Sequence, residues 1–519
     1  MKSAKQNAST ELYTQLRRLS WNQLWDQEVP RFNQSSPQDR MSRVSVVRAV
    51  GVLATESSSP KPRELAIPWL RRLLEDPEEK VRRYAIVALS KLKAGPEEET
   101  ALVALLQRAV SQRERLAVEE ALSKIGGTTT LESLNSNVLP AGIEQRVKAT
   151  LARQEETSSV RIDRRIPPLS EVQIHLRCRR GLEQILRGEV EDLIRNQGLV
   201  RVSEVHTGLV SLTPLVPITL AQLYTLRCFS TVGFALGTVA NMDTPVGVEA
   251  LVARITSPIA QNILHTLTQG KIRYRIEFVG ETQRKESVQR IADGIYARCP
   301  DLLNDPRQAP WTVALYRSGS NCSIELTPRV APDPRLGYRL GDVSAASHPP
   351  LAAALARVSG KSPGEIVWDP FCGSGMELVE RAMLGGVVRV FGSDLDPEAI
   401  QIAQENFAAS KLPSTNPTFG VADFRDFTKI PGLSADSVSL IVTNPPMGRR
   451  VRIGSLHTLM REFFQVAATV LKPGGRLIFP NPVQWDNPHP ALRLQYRQVV
   501  DMGGFDCRIE KYVKPPSKA

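Results

Sequence analysis

Cysteine is scarce in this sequence and scattered, at Cys178, Cys228, Cys299, Cys322, Cys372 and Cys507. None forms a C-x-x-C pair, which argues against a zinc ribbon or a redox dithiol; no metal site is expected, and reduced thiols in a cytoplasmic protein are. No apolar run approaches the roughly 18 residues that a membrane-crossing helix needs, so no membrane segment is expected. The start, MKSAKQNASTELYTQ, has no apolar stretch that reads as a secretory signal. Hydrophobic residues make up 42% and charged residues 23%, an ordinary balance that argues against global disorder. Collagen, a coiled coil and a secreted disulfide scaffold are disfavoured too. What is present is length and positive charge. The 519 residues suggest about three domains at roughly 150 residues each. Lys and Arg number 66 against 54 Asp and Glu, a net +12, which favours a polyanionic partner.

From about residue 40 to 160 the chain reads as helix after helix. Arg43–Ala54 and Glu64–Glu75 are amphipathic, and an acidic, proline-bearing turn then opens a helix with Val81, Ala85, Ile86 and Leu89 on one face. ETALVALLQRAV and RERLAVEEALSKIGG follow. Short helices that cannot bury their faces alone mark an α-solenoid, and DPEEKVRRYAIVALSKL resembles a HEAT repeat. A solenoid of this size supplies a docking surface, with Arg71, Arg72, Arg82 and Arg83 available to an acidic partner. Thr157–Ser170, poor in apolar residues and ending near Pro167-Pro168, reads as a linker.

From about 171 to 345, strand and helix patterns alternate: VQIHLRC as a strand, a helix stopping at Gly198, and two strands joined at Thr207-Gly208. A helix and strand in LAQLYTLRCFSTVGFALG come next, then the strand KIRYRIEFVG, a helix, and a hairpin turning at Ser318-Gly319-Ser320-Asn321. This is α+β. His175, His206 and His265 are isolated and read as structural. Arg177, Arg179, Arg180, Arg187, Arg273 and Arg275 suit phosphate contact.

The chemistry lies from about 346 to 519. EIVW is a buried strand, DPFCGSG a tight turn, and MELVERAML a helix. This is the first strand–loop–helix of an open α/β sheet, where ligands sit at the strands' carboxyl ends. Gly373 and Gly375 let a ligand approach the backbone, and the helix start offers free N–H groups. A second strand ends in Asp394, about 20 residues past the glycines, where an acid accepts from ribose hydroxyls. A third ends in Asp423-Phe424, a carboxylate and a ring suited to adenine. A fourth runs into Asn444-Pro445-Pro446, which a dinucleotide-binding dehydrogenase would not need.

Asp369-Pro370-Phe371-Cys372-Gly373-Ser374-Gly375 together with Asn444-Pro445-Pro446 resembles class I S-adenosylmethionine-dependent methyltransferases acting on an exocyclic amino group of a base. Ser347-His348-Pro349-Pro350 before it looks like the family's cofactor-cupping helix. LRCRRGLEQILRGEVEDL and LRCFSTVGFALG are similar to the ferredoxin-like segment of THUMP-containing RNA guanine-N2 methyltransferases. The resemblance implies that Asp369 binds the cofactor's methionine amino group, Asp394 its ribose and Asp423 its adenine. Phe371, Cys372, Gly373, Ser374, Gly375 and Phe424 would complete the cofactor site. Asn444, Pro445, Pro446 and Met447 would form the catalytic loop. Two residues depart from the pattern: Met447 stands where the family has an aromatic, and Met376 where it has Thr. The solenoid lies outside the usual family.

The expected architecture is multidomain. Residues 1–160 are an α-solenoid (HEAT-like), 171–345 a central α+β ferredoxin-like/THUMP RNA-binding region, and 346–519 an α/β Rossmann-like class I methyltransferase. The expected function is formation of N2-methylguanosine in tRNA or rRNA. The alternatives are an adenine-N6 methyltransferase or a non-catalytic RNA-binding scaffold. The expected partners are structured RNA and a protein at the helical repeats.

Overall fold

The computed structural model describes residues 11–92, 95–109, 111–134, 141–155, 157–166, 172–281, 285–344, 346–412, 415–447, 456–483, 485 and 488–516. The chain packs into two compact units, each made of two stretches: Met1–Val160 with Gly237–Ile324, and Arg161–Leu236 with Glu325–Ala519.

In the first unit the amphipathic periodicity produces the helices Ser45–Glu56, Lys61–Arg72, Glu79–Lys91, Pro96–Arg108 and Gln112–Ile125. Ser45–Glu56 packs on Glu79–Lys91, which packs on Gln112–Ile125, so each helix covers the next one's apolar face. Val81, Ala85, Ile86 and Leu89 are fully buried, as their spacing requires. Burying a Val, Ile or Leu contributes on the order of 1.5–3 kcal/mol. The repeat arginines are tied internally. Arg82 pairs with buried Glu114 at 2.5 Å, Arg83 with Glu79 at 3.0 Å, and Arg71 with Glu97 and Glu98. Arg71, Arg82 and Arg83 are therefore engaged by glutamates of the helical region, Arg83 within its own helix and the other two on helices further along the chain. The unit's other stretch holds the strand Arg273–Phe278, parallel to Trp311–Ser318, and the start of the expected hairpin. The helix Lys285–Arg298 packs there against Ala141–Glu155.

In the second unit, Gln173–Arg177 pairs antiparallel with Leu209–Pro214 and with the first residues of Thr231–Ala240. The helix Glu183–Gln197 ends on Gly198 as its pattern predicts. The expected linker differs. Arg165–Ile166 forms a short strand against Ile218–Thr219 because Ile166 is buried there; its end, 167–170, lies outside the described residues. The helix in LAQLYTLRC is also shorter than expected, only Leu220–Leu223. His175 and Arg177 both contact the buried Glu325 carboxylate, His175 at 2.6 Å. Arg180 and Arg187 pair with Asp506 and Glu191, and in the first unit Arg273 and Arg275 pair with Asp305 and Glu277. Arg177, Arg180, Arg187, Arg273 and Arg275 thus hold carboxylates of this chain, and Arg273 is buried.

The rest of this unit is an open sheet. We label its elements α1 (Pro349–Ser359), β1 (Glu365–Asp369), α2 (Met376–Met383), β2 (Val387–Asp394), α3 (Pro397–Ala409), β3 (Asn416–Val421), β4 (Val438–Val442), α4 (Leu456–Val470), β5 (Leu471–Asn481), β6 (Arg493–Asp501) and β7 (Asp506–Val513). The strand order is β3-β2-β1-β4-β5-β7-β6. The first five are parallel, and β7 runs antiparallel to both neighbours. The parallel strands are apolar because helices cover both faces; β4, VSLIV, is buried at every residue. After β1 the order reverses, with β2 on one side and β4 on the other. A crevice opens at the strands' carboxyl ends at such a switch point. Within β1, Glu365 is buried and bonded to the guanidinium groups of Arg381, which is fully buried, and Arg476.

Candidate active site

The crevice is a cavity of about 1100 Å³ within the second unit. Its walls come from the residues before α1, the β1–α2 loop, the ends of β2, β3 and β4, and Met502–Phe505 between β6 and β7. Phe371, Cys372, Gly373, Ser374, Asp394, Asp423, Phe424, Asn444, Pro445, Pro446 and Met447 all line it. Eleven of the thirteen residues read from sequence are therefore brought together, and Asp369 and Gly375 lie behind the wall.

The β1–α2 loop is pinned from three sides. Asp394 accepts the Gly373 N–H at 2.9 Å and the Asp396 N–H at 3.1 Å, locking the end of β2 to the loop. Buried Asn406 of α3 donates to the carbonyls of Ser374 and Gly341 at 2.9 and 3.0 Å. Its oxygen accepts the Leu340 N–H at 2.8 Å. Phe371 and Phe424 stand 5.1 Å apart, ring centre to ring centre, and both contact Phe463 of α4. Gly373 and Gly375 have φ of +48° and +78°, left-handed backbone that glycine takes without strain.

Asp369 is fully buried. Its Oδ1 accepts from the Thr443 hydroxyl at 2.5 Å and from the Phe371 N–H at 3.1 Å. Its Oδ2 has no partner. Burial, and the nearby Glu377 carboxylate, push its pKa well above the usual carboxylate range. Asp423 is a helix cap, accepting the Arg425 N–H at 2.9 Å, and its carboxylate is paired with the Arg425 guanidinium at 2.8 Å. Arg425 also contacts Glu462 of α4, at 2.8 Å.

Asn444, half-buried, lies two residues past the end of β4. Its Nδ2 donates to the Ser347 hydroxyl at 2.8 Å, and its Oδ1, buried at the cavity wall, has no partner. Ser347 in turn donates to Glu377, which is buried and lines the cavity. Beside it, His348 has an unpartnered Nδ1. Burial first, then Arg179, Arg335 and Arg339, bring its pKa down to about 4, so the imidazole is neutral at pH 7.

Sequence reasoning missed Glu377, Thr443 and Asn406. A glutamate in the first turn of α2 reads as an ordinary complement to the helix dipole. Asn406 carried a usable signal: it falls on the buried face of α3 with Ala399, Ala403 and Phe407.

A doubly wound sheet with a glycine turn after β1, an acid after β2 and Asn-Pro-Pro after β4 defines the class I methyltransferase fold. Comparison with known proteins agrees. A family model described as RMKL-like, methyltransferase domain, matches residues 336–484, and one described as HEAT repeats matches 36–123. The tRNA (guanine(6)-N2)-methyltransferase of Thermus thermophilus is 35% identical over 167 residues, 31% of this chain and 48% of that protein. The tRNA (guanine(10)-N2)-dimethyltransferase of Methanothermobacter thermautotrophicus is 32% identical over 187 residues, 35% of this chain and 49% of that protein. A protein of Methanothermococcus thermolithotrophicus, described as a probable tRNA (guanine(10)-N2)-dimethyltransferase, is 30% identical over 25% of this chain and 77% of its own length. The chain thus spans about half the length of the first two relatives. The crystal structure of TrmN from Thermus thermophilus shares the fold, with TM-score 0.50 and 23% identity over 66% of this chain and all of that one. The chain belongs to the RMKL-like methyltransferase family of these relatives, whose cofactor is S-adenosylmethionine.

The residues present fit that cofactor. Ser374 Oγ and Asp369 Oδ2 are buried polar atoms without partners at or just beneath the wall. Such atoms cost about 1–3 kcal/mol each when left unmet, which makes them natural acceptors or donors for a polar ligand. Leu395, 68% exposed, offers an apolar surface at the rim beside Asp394.

Proposed function

We propose that this chain methylates the exocyclic N2 of a guanosine in structured RNA, tRNA or rRNA, using S-adenosylmethionine. The observation that carries the reading is the Asn444 amide oxygen, an unpartnered acceptor at the cavity wall, followed in the chain by the Pro445 carbonyl. The bound cofactor supplies a methyl group on a sulfonium.

An exocyclic amino nitrogen is a poor nucleophile because its lone pair is delocalised into the ring. Asn444 Oδ1 and the Pro445 carbonyl accept its two N–H groups and favour a pyramidal nitrogen with a localised lone pair. Proline's fixed φ holds the Pro445 backbone in place. Alignment with the methyl carbon supplies most of the acceleration. No strong base is needed, because the methylated nitrogen is acidic and loses its proton readily. Met447, half-buried at the wall, packs on the base through its sulfur.

Asp369 takes the methionine ammonium, Asp394 the ribose and Asp423 with Phe424 the adenine; Phe371, Cys372, Gly373, Ser374 and Gly375 form the cradle, and Pro446 completes the catalytic loop. Residues 171–345 act as the ferredoxin-like/THUMP grip on RNA and deliver the unstacked base. Residues 1–160 dock a protein partner, and 346–519 carry the chemistry in the cytoplasm. The relatives named for tRNA guanine-N2 methylation support the base and the RNA.

The test is single-turnover methyl transfer to RNA from a strain lacking the gene. Asn444→Ala should slow transfer on the order of 10²–10³-fold, the usual effect of losing one preorganised transition-state hydrogen bond. Cofactor affinity should hardly change. Wild-type rates in this variant would remove the loop from the mechanism.

A further inference from the structure

The Asn444 amide has two chemically opposite ends, and only one of them serves the proposed reaction. With Oδ1 toward the cavity it accepts an amino N–H; with Nδ2 there it repels one. Some neighbour of the amide must choose the end.

We propose that Glu377 is a positioning residue that, through Ser347, fixes the Asn444 amide with its oxygen toward the cavity. This rests on the reading of Asn444 as the acceptor for the target amino group.

The direction of each hydrogen bond follows from how many protons each group holds. A serine hydroxyl has one hydrogen to donate and lone pairs to accept with. The Ser347 hydrogen goes to Glu377 Oε1. Its oxygen is then left as an acceptor, and it takes a hydrogen from Asn444 Nδ2 at 2.8 Å. Rotating the amide would set Oδ1 against that oxygen, two acceptors with no proton between them. The carboxylate therefore propagates a direction along the chain Glu377–Ser347–Asn444, and Asn444 Oδ1 is left unpartnered, as observed.

A merely structural role for Glu377 fits poorly. The side chain is 4% exposed, and Asp369 and Glu380 place further carboxylates near it. Arg227 and Tyr338 hold the Glu380 group, with Arg227 at 2.6 Å and Tyr338 at 2.7 Å. Burial raises the Glu377 pKa, and the Ser347 bond opposes that rise. A neutral glutamine of the same shape would pack there without the desolvation penalty and the repulsion. A buried carboxylate has one property glutamine lacks: it accepts only.

The experiment compares Glu377→Gln, Ser347→Ala and Asn444→Ala in the full chain, reading single-turnover methyl transfer to RNA and, by calorimetry, the affinity for S-adenosylhomocysteine. The Gln amide can donate to Ser347, whose hydrogen then turns to Asn444 and reverses its amide. Glu377→Gln and Ser347→Ala should each slow transfer roughly 10- to 100-fold, below the full loss expected for a missing acceptor, with affinity for S-adenosylhomocysteine within about twofold. Thermal stability of Glu377→Gln should equal or exceed that of the wild type, separating positioning from folding.

A second arm uses Asn444→Asp. A carboxylate has no wrong end, and it too needs a donor from Ser347. Adding Glu377→Gln to Asn444→Asp should therefore leave the rate unchanged or raise it, where the same change slows the Asn444 enzyme. Wild-type rates in Glu377→Gln and Ser347→Ala beside a slow Asn444→Ala would overturn the positioning role and leave the proposed reaction standing. Loss of S-adenosylhomocysteine binding in Glu377→Gln would overturn it as well, making Glu377 a ligand of the cofactor. Wild-type rates in Asn444→Ala would instead overturn the proposed reaction itself.

Discussion

Gly375 and Gly373 sit two residues apart in the same turn, both with left-handed backbone, yet their environments predict different outcomes for one added methyl group. At Gly375, φ is +78°, and an alanine there costs about 1–2 kcal/mol in backbone strain. The new Cβ would lie 3.2 Å from Ala403 Cβ and 3.3 Å from its Cα, on α3. Helix backbone does not yield as a flexible side chain does, and overpacking adds about 1–3 kcal/mol. The sum, about 2–5 kcal/mol, is a large part of a domain's usual 5–15 kcal/mol. At Gly373, φ is +48° and the nearest atom is Val343 Cγ2 at 3.4 Å, an ordinary contact on a side chain. Only the strain remains there. The assay is urea unfolding followed by hydrogen exchange in peptides covering residues 365–409, so that the sheet holding the loop is read by itself. At roughly 2 kcal/mol per molar urea, Gly375→Ala should lower the midpoint by about 1–2.5 M, and Gly373→Ala by about 0.5–1 M. Equal shifts, or an unmoved midpoint in Gly375→Ala, would refute the packing argument.

Three further outcomes are expected. Glu365→Ala leaves the buried Arg381 guanidinium without its carboxylate and should destabilise the fold by about 3–5 kcal/mol in thermal unfolding. Asp369 has a raised pKa in the free protein, and a bound ammonium favours its ionised form. Cofactor binding should thus release a proton, and affinity should fall as pH drops through the raised value, by at most about tenfold per unit. Calorimetry in buffers of different ionisation enthalpy reads this directly, and Asp369→Asn should abolish the dependence. Met447→Phe should preserve or raise the single-turnover rate, since a ring at that point of the wall stacks on a base at least as well as a thioether.

The sheet and its loops were legible because they are written in local chemistry. Apolar runs such as VSLIV mark doubly covered parallel strands, and glycines and prolines punctuate them at fixed places. The repeat helices were legible for the same reason: Val81, Ala85, Ile86 and Leu89 recur at helical spacing. The Glu377–Ser347–Asn444 chain was not. Its members lie 30 and 97 residues apart and meet only because α1 and α2 flank the start and finish of β1 while β4 returns beside it. The pairing of the arginines is hidden for a related reason. Arg180 meets Asp506 across 326 residues, and no local pattern shows that such a charge is already paired. The packing of Gly237–Ile324 with the helical repeats is likewise a property of the tertiary fold.

The measurement that bears most directly on the account is the identity of the methylated nucleoside. The purified chain is incubated with isotopically labelled S-adenosylmethionine and total RNA from a strain lacking its gene, and the digested RNA is resolved by mass spectrometry. The account predicts label in N2-methylguanosine of tRNA or rRNA, and its loss with Asn444→Ala. Label in N6-methyladenosine would contradict the base, and cofactor binding with no transfer to any RNA would contradict the enzyme.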